Sequence, residues 1–413
     1  VSDWIVSIDI GTSNVCALIG RVNKYSQIEI AGRGTAPCSG LKKGVIVDID
    51  STAASIRKAV EEAEADANMR IDSAYVNIHG MHVNVVNNRS WMSINGREIT
   101  VEDLDKILRD VRDIEIQEDR QLIDVIPRQF IIDGYDEISD PVGMVGTRLE
   151  VDADMLVGKI TSVQNIVKSM ERAYVKLDGV VAEAFAAAEI CLTQDERDIG
   201  AVLLDVGGSI TDLSVFQGRR LVFYDSIPVG GDHITNDIAI GLRISNAEAE
   251  KIKRQFELAL TSLIKNDQEI QVLDINENRK KSVKVSEVVE IIEARVYEIF
   301  SLCRSLLDKS EISLPNEGTV VMTGAGISYV DGCKQLAQEV FDIPVRTVQA
   351  GQIPGVLKPE FVASAGMIRY VANVKKGVSR ASEIKLRKQE KQQKQQNEES
   401  VFRKILNFFK EIF

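Results

Sequence analysis

Two stretches of the chain share one pattern of apolar and polar positions. Trp4 to Arg21 (WIVSIDIGTSNVCALIGR) and Ala201 to Arg219 (AVLLDVGGSITDLSVFQGR) each pass through a short apolar segment ending in Asp-x-Gly, then a small polar turn, then a second apolar segment ending in Gly-Arg. Apolar runs bounded by such turns predict a β-hairpin in each place. A helix is expected over Ser51 to Asn68, capped by Asp50 or Ser51. Two more are expected over Ile234 to Gly241 and Ser245 to Leu260, the second opened by Ser245 with Glu248 three residues on. Strands followed by helices, written twice, predict an α/β protein of two related lobes.

Between Tyr75 and Ile160 the pattern becomes one of alternating strands (YVNIHG, HVNVV, QLIDVIPRQFIID, LEVDADMLVGKI) around one helix, Val101 to Asp113, which reads as a small α+β insert. A helical, charged stretch from Leu242 to Leu302, with an irregular strand region from Glu269 to Val285, reads as a second insert inside the second lobe. The resulting division places the first lobe at 1–83 and 164–198, the inserted subdomain at 84–163, the second lobe at 199–241 and 303–373, and its small helical subdomain at 242–302. A flexible linker is expected over 374–400, where Lys, Gln and Glu dominate and too little apolar surface exists to offset ordering entropy.

The last thirteen residues, VFRKILNFFKEIF, differ from that linker. At 100° per residue, Ile405, Leu406, Phe409, Ile412 and Phe413 project within about 80° of Phe402, with Arg403, Lys404 and Lys410 off that stripe. A basic amphipathic helix over 401–413 is expected, too short to span a bilayer and suited to lie in an anionic membrane surface. The alternative for such a helix is docking onto the chain itself or onto a protein partner.

Composition adds a charge asymmetry. The chain carries −12 overall, but from Lys375 onward there are eleven Lys or Arg and five Glu, so the tail is +6 and the body −18. An acidic body disfavours nucleic acid as a partner, whereas the basic tail suits anionic lipid. With 413 residues, 44% of them hydrophobic, more than one core is expected. Five scattered cysteines without a metal-ligand spacing fit a reducing cytoplasm. No apolar run reaches spanning length, and the N-terminal residues read as a strand rather than a signal peptide.

The hairpin turns carry the candidate chemistry. Phosphates need inward-pointing backbone N–H groups in a tight turn of small residues. Gly11, Thr12, Ser13 and Asn14 would supply them from one side, and Gly207, Gly208, Ser209 and Thr211 from the other. Asp9 and Asp205 end the apolar runs just before each turn, where a carboxylate can hold Mg2+ through water. Val320 to Ile327 (VVMTGAGI) reads as a buried strand with a glycine turn at Gly324, Ala325 and Gly326, suited to close approach of a flat base, and Gly230 and Gly231 form another such turn. Glu250, Lys251 and Lys253 either reach a ribose or base or form a solvated helix face. The P-loop pattern GxxxxGKS is absent.

Paired Asp-x-Gly turns followed by a glycine-rich strand end are similar to the actin, sugar-kinase and heat-shock chaperone superfamily. Within it, VIPRQFIIDGYDEISDPVGMVGTRLEVDADM from Val125 to Met155, together with NIVKSMERAYVKLDGVVAE, IPVGGDHITNDIA, AEAEKIK and IIEARVYEIF, closely resembles the FtsA family of bacterial cell-division proteins, over Ile5 to Ala372. The resemblance implies a two-lobed actin-like ATPase fold, ATP and Mg2+ as cofactors, and at most a slow ATPase. Glu183 then stands where chaperone relatives have a water-positioning glutamate, the alternative being a polar residue lining its helix. The resemblance further implies self-assembly into an actin-like filament, binding of the C-terminal tail of FtsZ with a contribution from Arg295, and recruitment of other division proteins through the inserted subdomain. It also implies a location at the cytoplasmic face of the cell membrane at the division site. The competing functions within the superfamily are a small-molecule kinase, which has no use for the terminal helix, and an actin-like protein of pilus assembly. A chaperone would need a substrate-binding domain after the second lobe.

Overall fold

A computed structural model of the chain describes residues 4–375, apart from 219, 276, 311, 313–317, 354, 355 and 357. The expected amphipathic helix, with Phe402 to Phe413, lies outside the described residues, as does all of the expected linker beyond residue 375. The described chain divides into two compact units, one of residues up to Val86 with Glu115–Asp124 and Met155–Tyr370, the other of Asn87–Ile114 and Val125–Asp154 with residues 371–375.

The first unit contains two five-stranded sheets. One runs in the order Lys176–Ala182, Ser73–Ile78, Ile5–Ile10, Asn14–Val22, Ile28–Pro37, and the other Val345–Thr347, Thr319–Thr323, Ala201–Val206, Thr211–Gln217, Arg220–Ile227. In each, the earliest strand is central, antiparallel to its hairpin partner and parallel to a strand reached through a crossover. The repeat in apolar pattern is therefore a repeat in topology, and each sheet marks one lobe. Tyr75 to Gly80, whose pattern reads with the insert's strands although the division at 84 keeps it in the first lobe, contributes Tyr75 to Ile78 to an inner strand of the first sheet, with Ser7 opposite Tyr75 and Ile8 opposite Val76. An apolar alternation alone does not reveal which sheet a strand joins.

Helix Ile49–Ala67 covers the first sheet. Its cap is Asp48, whose carboxylate accepts from Ser51 N at 3.0 Å, while Asp50 lies in the first turn. The helix packs close because Gly34 offers no side chain: a Cβ there would stand 1.9 Å from Ala59 O. The strand Lys176–Ala182 runs directly into helix Glu183–Cys191, and the helix over residues 362–375 returns to the first lobe at the end of the described chain. There Ser7 Oγ donates to Ser364 O at 2.8 Å, and a Cβ on Gly366 would meet Ala186 O at 2.0 Å.

In the second lobe, helices Gly231–Leu242, Asn246–Phe256, Val285–Lys309 and Cys333–Phe341 pack around Ile238, Ile292, Phe300 and Phe341. The second of them starts as expected, Ser245 accepting from Glu248 N, but stops four residues before Leu260. Glu257 takes the left-handed conformation, and Ala259 N then donates to Asp331 O. The region Glu269 to Val285 is a regular hairpin, Glu269–Asp274 with Arg279–Lys284.

The second unit belongs to a four-stranded sheet ordered Val83–Glu98, Val145–Lys159, Arg120–Ile132, Tyr135–Ile138, with helix Val101–Asp110. That helix opens with a capping box, Thr100 Oγ1 accepting from Asp103 N and the Asp103 carboxylate from Thr100 N, and it ends at Asp110 rather than Asp113. Charge is buried within the unit. Asp152 accepts from Asn87 at 2.7 Å, from Arg89 at 3.0 Å and from Arg128, while Arg128 Nε lies 3.1 Å from Asp154.

Candidate functional site

The paired turns come together across the first unit. Each is closed the same way, Gly11 N donating to Asn14 O and Gly207 N to Ile210 O, both at 3.0 Å. They also touch: Ser209 N donates to Thr12 Oγ1 at 3.0 Å, and Ser13 Oγ to Asp232 Oδ2 at 2.8 Å. A cleft of about 610 Å³ runs between them, lined by Asp9, Gly11, Thr12, Ser13, Asn14, His79, Glu183, Asp205, Gly207, Gly208, Asp212, Gly324 and Ala325, among others. Residues separated by more than three hundred positions in the sequence thus face one space.

Close backbone packing explains the remaining glycines. Gly231 N donates to Gly207 O at 2.9 Å and Gly326 N to Val206 O at 2.8 Å, so three turns stack on one another. A Cβ on Gly231 would meet Gly326 Cα at 2.6 Å, and one on Gly230 would meet Gly207 O and Gly208 O at the same distance. These three glycines build the floor under the cleft's turns.

Four of the residues singled out in the sequence are held by contacts within the second lobe. Thr211 is fully buried and its hydroxyl donates to Val229 O at 2.8 Å, so it offers nothing to the cleft. Lys253 is not on a solvated face: it is 2% exposed, donates to Thr235 Oγ1 at 2.6 Å and Gly231 O at 3.1 Å, and pairs with Glu250 at 2.6 Å. Burial lowers the Lys253 ammonium's pKa, against the pull of Glu250. Glu250 is itself occupied by Thr235, Lys253 and Arg254. The neighbouring Arg254 is the residue of that helix that lies over an aromatic face, 3.9 Å from the Tyr329 ring centre. Arg295, far along Val285–Lys309, pairs with Asp237 at 2.5 Å and with Glu298, and so ties two helices of the second lobe together.

The electrostatic centre is a buried network. Asn77 accepts from Ile10 N at 2.8 Å and donates to Asp9 Oδ1 at 2.6 Å and Glu183 Oε2 at 2.9 Å. His79 Nδ1 stands 2.8 Å from both Glu183 Oε2 and Asp212 Oδ2. Asp212 Oδ1 in turn accepts from Gly80 N at 2.9 Å and Ser226 Oγ at 2.5 Å. Burial, and then the charge of Glu183, push the carboxyls of Asp9 and Asp205 well above the usual range. Burial also opposes the charge on His79, but Glu183 and Asp212 outweigh it and raise the imidazole well above its ordinary value. For Asp212 burial works upward too, yet His79, Ser226 and the Gly80 amide together hold it below the ordinary range. Burial and neighbouring acids oppose ionisation of Asp9 and Asp205, and a divalent cation bound beside them would stabilise their charged form.

The sequence reading missed Asn77, His79 and Asp232, and took Asp212 only as the end of a motif. A signal existed in the hairpin registers: Asp9 pairs with Cys16 and Asp205 with Asp212, so the second copy places two carboxylates opposite each other where the first has a thiol. A pair of facing buried acids calls for a counter-charge, and the chain has only three histidines from which to draw it.

Comparison with known proteins follows the same lines. A family model described as "Cell division protein FtsA" matches residues 202–366, and one described as "SHS2 domain inserted in FTSA" matches residues 80–157. The cell division protein FtsA of Bacillus subtilis is 37% identical over 372 residues, covering 89% of this chain and 83% of that protein. That of Pseudomonas aeruginosa is 34% identical over 370 residues, covering 89% and 88%. Among solved structures, a chain of the PilM-PilN type IV pilus biogenesis complex aligns with a TM-score of 0.58 at 15% identity, covering 89% of this chain and 98% of its own. MreB5 of Spiroplasma citri bound to ADP aligns with a TM-score of 0.56 at 15% identity, covering 92% and 99%. At that identity the structural likeness speaks for the fold, which is the two-lobed actin-like one.

Proposed function

This chain belongs to the FtsA family of cell division proteins, and from that premise we propose that it binds ATP between its paired turns and assembles on the inner face of the cell membrane. The observation that carries the nucleotide reading is the contact of the two turns, Ser209 N with Thr12 Oγ1, over a cleft that also holds Asp9, Asp205 and Glu183. The amides of Gly11 to Asn14 and of Gly207 to Ser209 would hold phosphate oxygens from opposite lobes. Asp9 and Asp205 would hold Mg2+ through water, and the ion when bound offsets the charge of phosphates and carboxylates alike. The glycine turn at Gly324 and Ala325 admits the base side of the nucleotide, with Arg254 and Tyr329 nearby on the second lobe.

ATP in this reading chiefly sets lobe closure, and closure sets the contacts of an actin-like filament. The filament in turn tethers FtsZ polymers, bound by their C-terminal tails at the small helical subdomain containing Arg295, and the inserted unit recruits later division proteins. Among the described residues no helix is long and apolar enough to cross a membrane; in this reading residues 401–413 make the attachment. One short amphipathic helix binds lipid weakly and reversibly, and a filament multiplies that attachment through effective concentration.

Co-sedimentation with anionic liposomes in the presence of ATP and Mg2+ tests the tether. The full chain is expected to pellet with the vesicles while a chain ending at Ser400 stays in solution. Equal pelleting of the two would sink the membrane reading.

A further inference from the structure

We propose that His79 is a positioning residue that makes the orientation of Glu183, in the first lobe, depend on Asp212, in the second. The inference rests on the nucleotide reading of the cleft and adds a residue which that reading does not use.

Glu183 begins its helix and lines the cleft, and one of its two oxygens, Oε2, accepts from Asn77 Nδ2 at 2.9 Å and pairs at 2.8 Å with His79 Nδ1, whose single N–H it shares with Asp212. Holding one oxygen twice fixes the plane of the carboxylate and leaves the other as the oxygen available to the cleft. The two donors differ in what holds them. Asn77 is anchored within its own lobe by Ile10 N. The imidazole is anchored in the opposite lobe, since the same Nδ1 stands 2.8 Å from Asp212 Oδ2. Asp212 is in turn fixed by Ser226 of the adjacent strand and reaches back to Gly80 N. Two further bonds seat the same first-lobe segment on the second lobe, Tyr224 OH to Ile78 O at 3.1 Å and Met81 N to Ser226 Oγ at 3.1 Å. Of the two groups holding that carboxylate, His79 is the one with a partner across the lobes, so a change in lobe separation bears directly on it.

In hydrolysis, Glu183 would orient the water whose oxygen bonds to the terminal phosphorus as the bond from that phosphorus to the bridging oxygen breaks. ADP and inorganic phosphate result, and the proton passes to solvent. Orientation of such a water supplies much of phosphoryl-transfer catalysis, and a misplaced positioning group forfeits it. His79 touches neither water nor phosphate in this scheme. It makes the carboxylate's aim conditional on the lobes being together.

The test uses the full chain with ATP and Mg2+, measuring equilibrium ATP binding and single-turnover phosphate release for the wild type, E183Q, H79Q, D212N and H79Q/D212N. D212N is the informative variant because Asp212 shares His79 Nδ1 with Glu183 while an amide there keeps an acceptor for Gly80 N. Release is expected to fall about tenfold or more in each single variant with little change in ATP affinity, and the double variant should be no slower than H79Q alone. A merely structural role would instead weaken binding and stability together. A second readout needs no nucleotide: with only three histidines in the chain, the His79 ring signal can be assigned by its loss in H79Q, and it should move in both E183Q and D212N. D212N releasing phosphate at the wild-type rate while E183Q does not, or losses that add in the double variant, overturns the inference and leaves the nucleotide reading standing. A wild-type chain that binds no ATP overturns both.

Discussion

Ser209 lies in the second turn and Thr211, two positions on, opens the strand that follows it, yet only Ser209 takes part in the meeting of the lobes. The Thr211 hydroxyl is spent on Val229 O inside the second lobe. Thr211→Val should therefore destabilise the protein by about 1 kcal/mol through the orphaned carbonyl, with ATP affinity unchanged, as measured by urea denaturation alongside equilibrium binding. His79 gives a prediction of opposite kind. Because its folded value is raised, its contribution to stability is fully present below about pH 6.5, the ordinary imidazole value. It is lost as pH rises through the raised value. The stability advantage of the wild type over H79Q should shrink as pH is taken from 6 to 9, and an advantage that grows over that range would contradict the imidazolium assignment.

At the scale of elements, what the sequence made legible was local. Both hairpins were readable because Asp-x-Gly punctuates an apolar run, and Ser245 was readable as a cap because it needs only Glu248 N, three residues away. What escaped notice acts over distance. Asn77 joins Asp9 to Glu183 across 68 and 106 positions, and His79 meets Asp212 across 133. No local pattern encodes such pairings. The same holds for strand Ser73–Ile78, whose place is set by its parallel partners. In the second unit, strand Val145–Lys159 carries Asp154, whose carboxyl burial lifts to about 6 against the pull of Arg128. An acid raised in this way stabilises most below its ordinary value of about 3.9, and that contribution is lost as pH rises through about 6. Asp154→Asn removes the loss. Urea unfolding followed by tryptophan fluorescence, with Trp4 replaced by Phe so that Trp91 alone reports, should show the wild type falling behind the variant between pH 5 and pH 7.5.

Over the whole chain, the two sheets share one strand order, but they differ in when they can be completed. The first lobe's five strands are all present by Ala182, yet the helix over residues 362–375 lies at the far end of the described chain, where Ser364 O meets Ser7 and Gly366 seats on Ala186. A chain ending at Lys358 should show increased proteolysis within the first lobe, and extension to Lys375 should restore protection. Full protection of the shorter chain would show that the returning helix is dispensable.

That bond between Ser7 and Ser364, 357 residues apart, has a consequence for the growing polypeptide. A domain usually folds as a unit while the ribosome is still at work on the next. Here the lobe made first has helix Ile49–Ala67 early but waits for almost the last described residues before its sheet is covered around Ser7 and Gly20, so that part stays open throughout translation of the second lobe. During that interval the nascent chain would be a natural client for chaperones. Ribosome stalling downstream of Ala182 would expose a sheet complete in its strands but lacking its returning helix, with a long stretch of coding sequence still to be read.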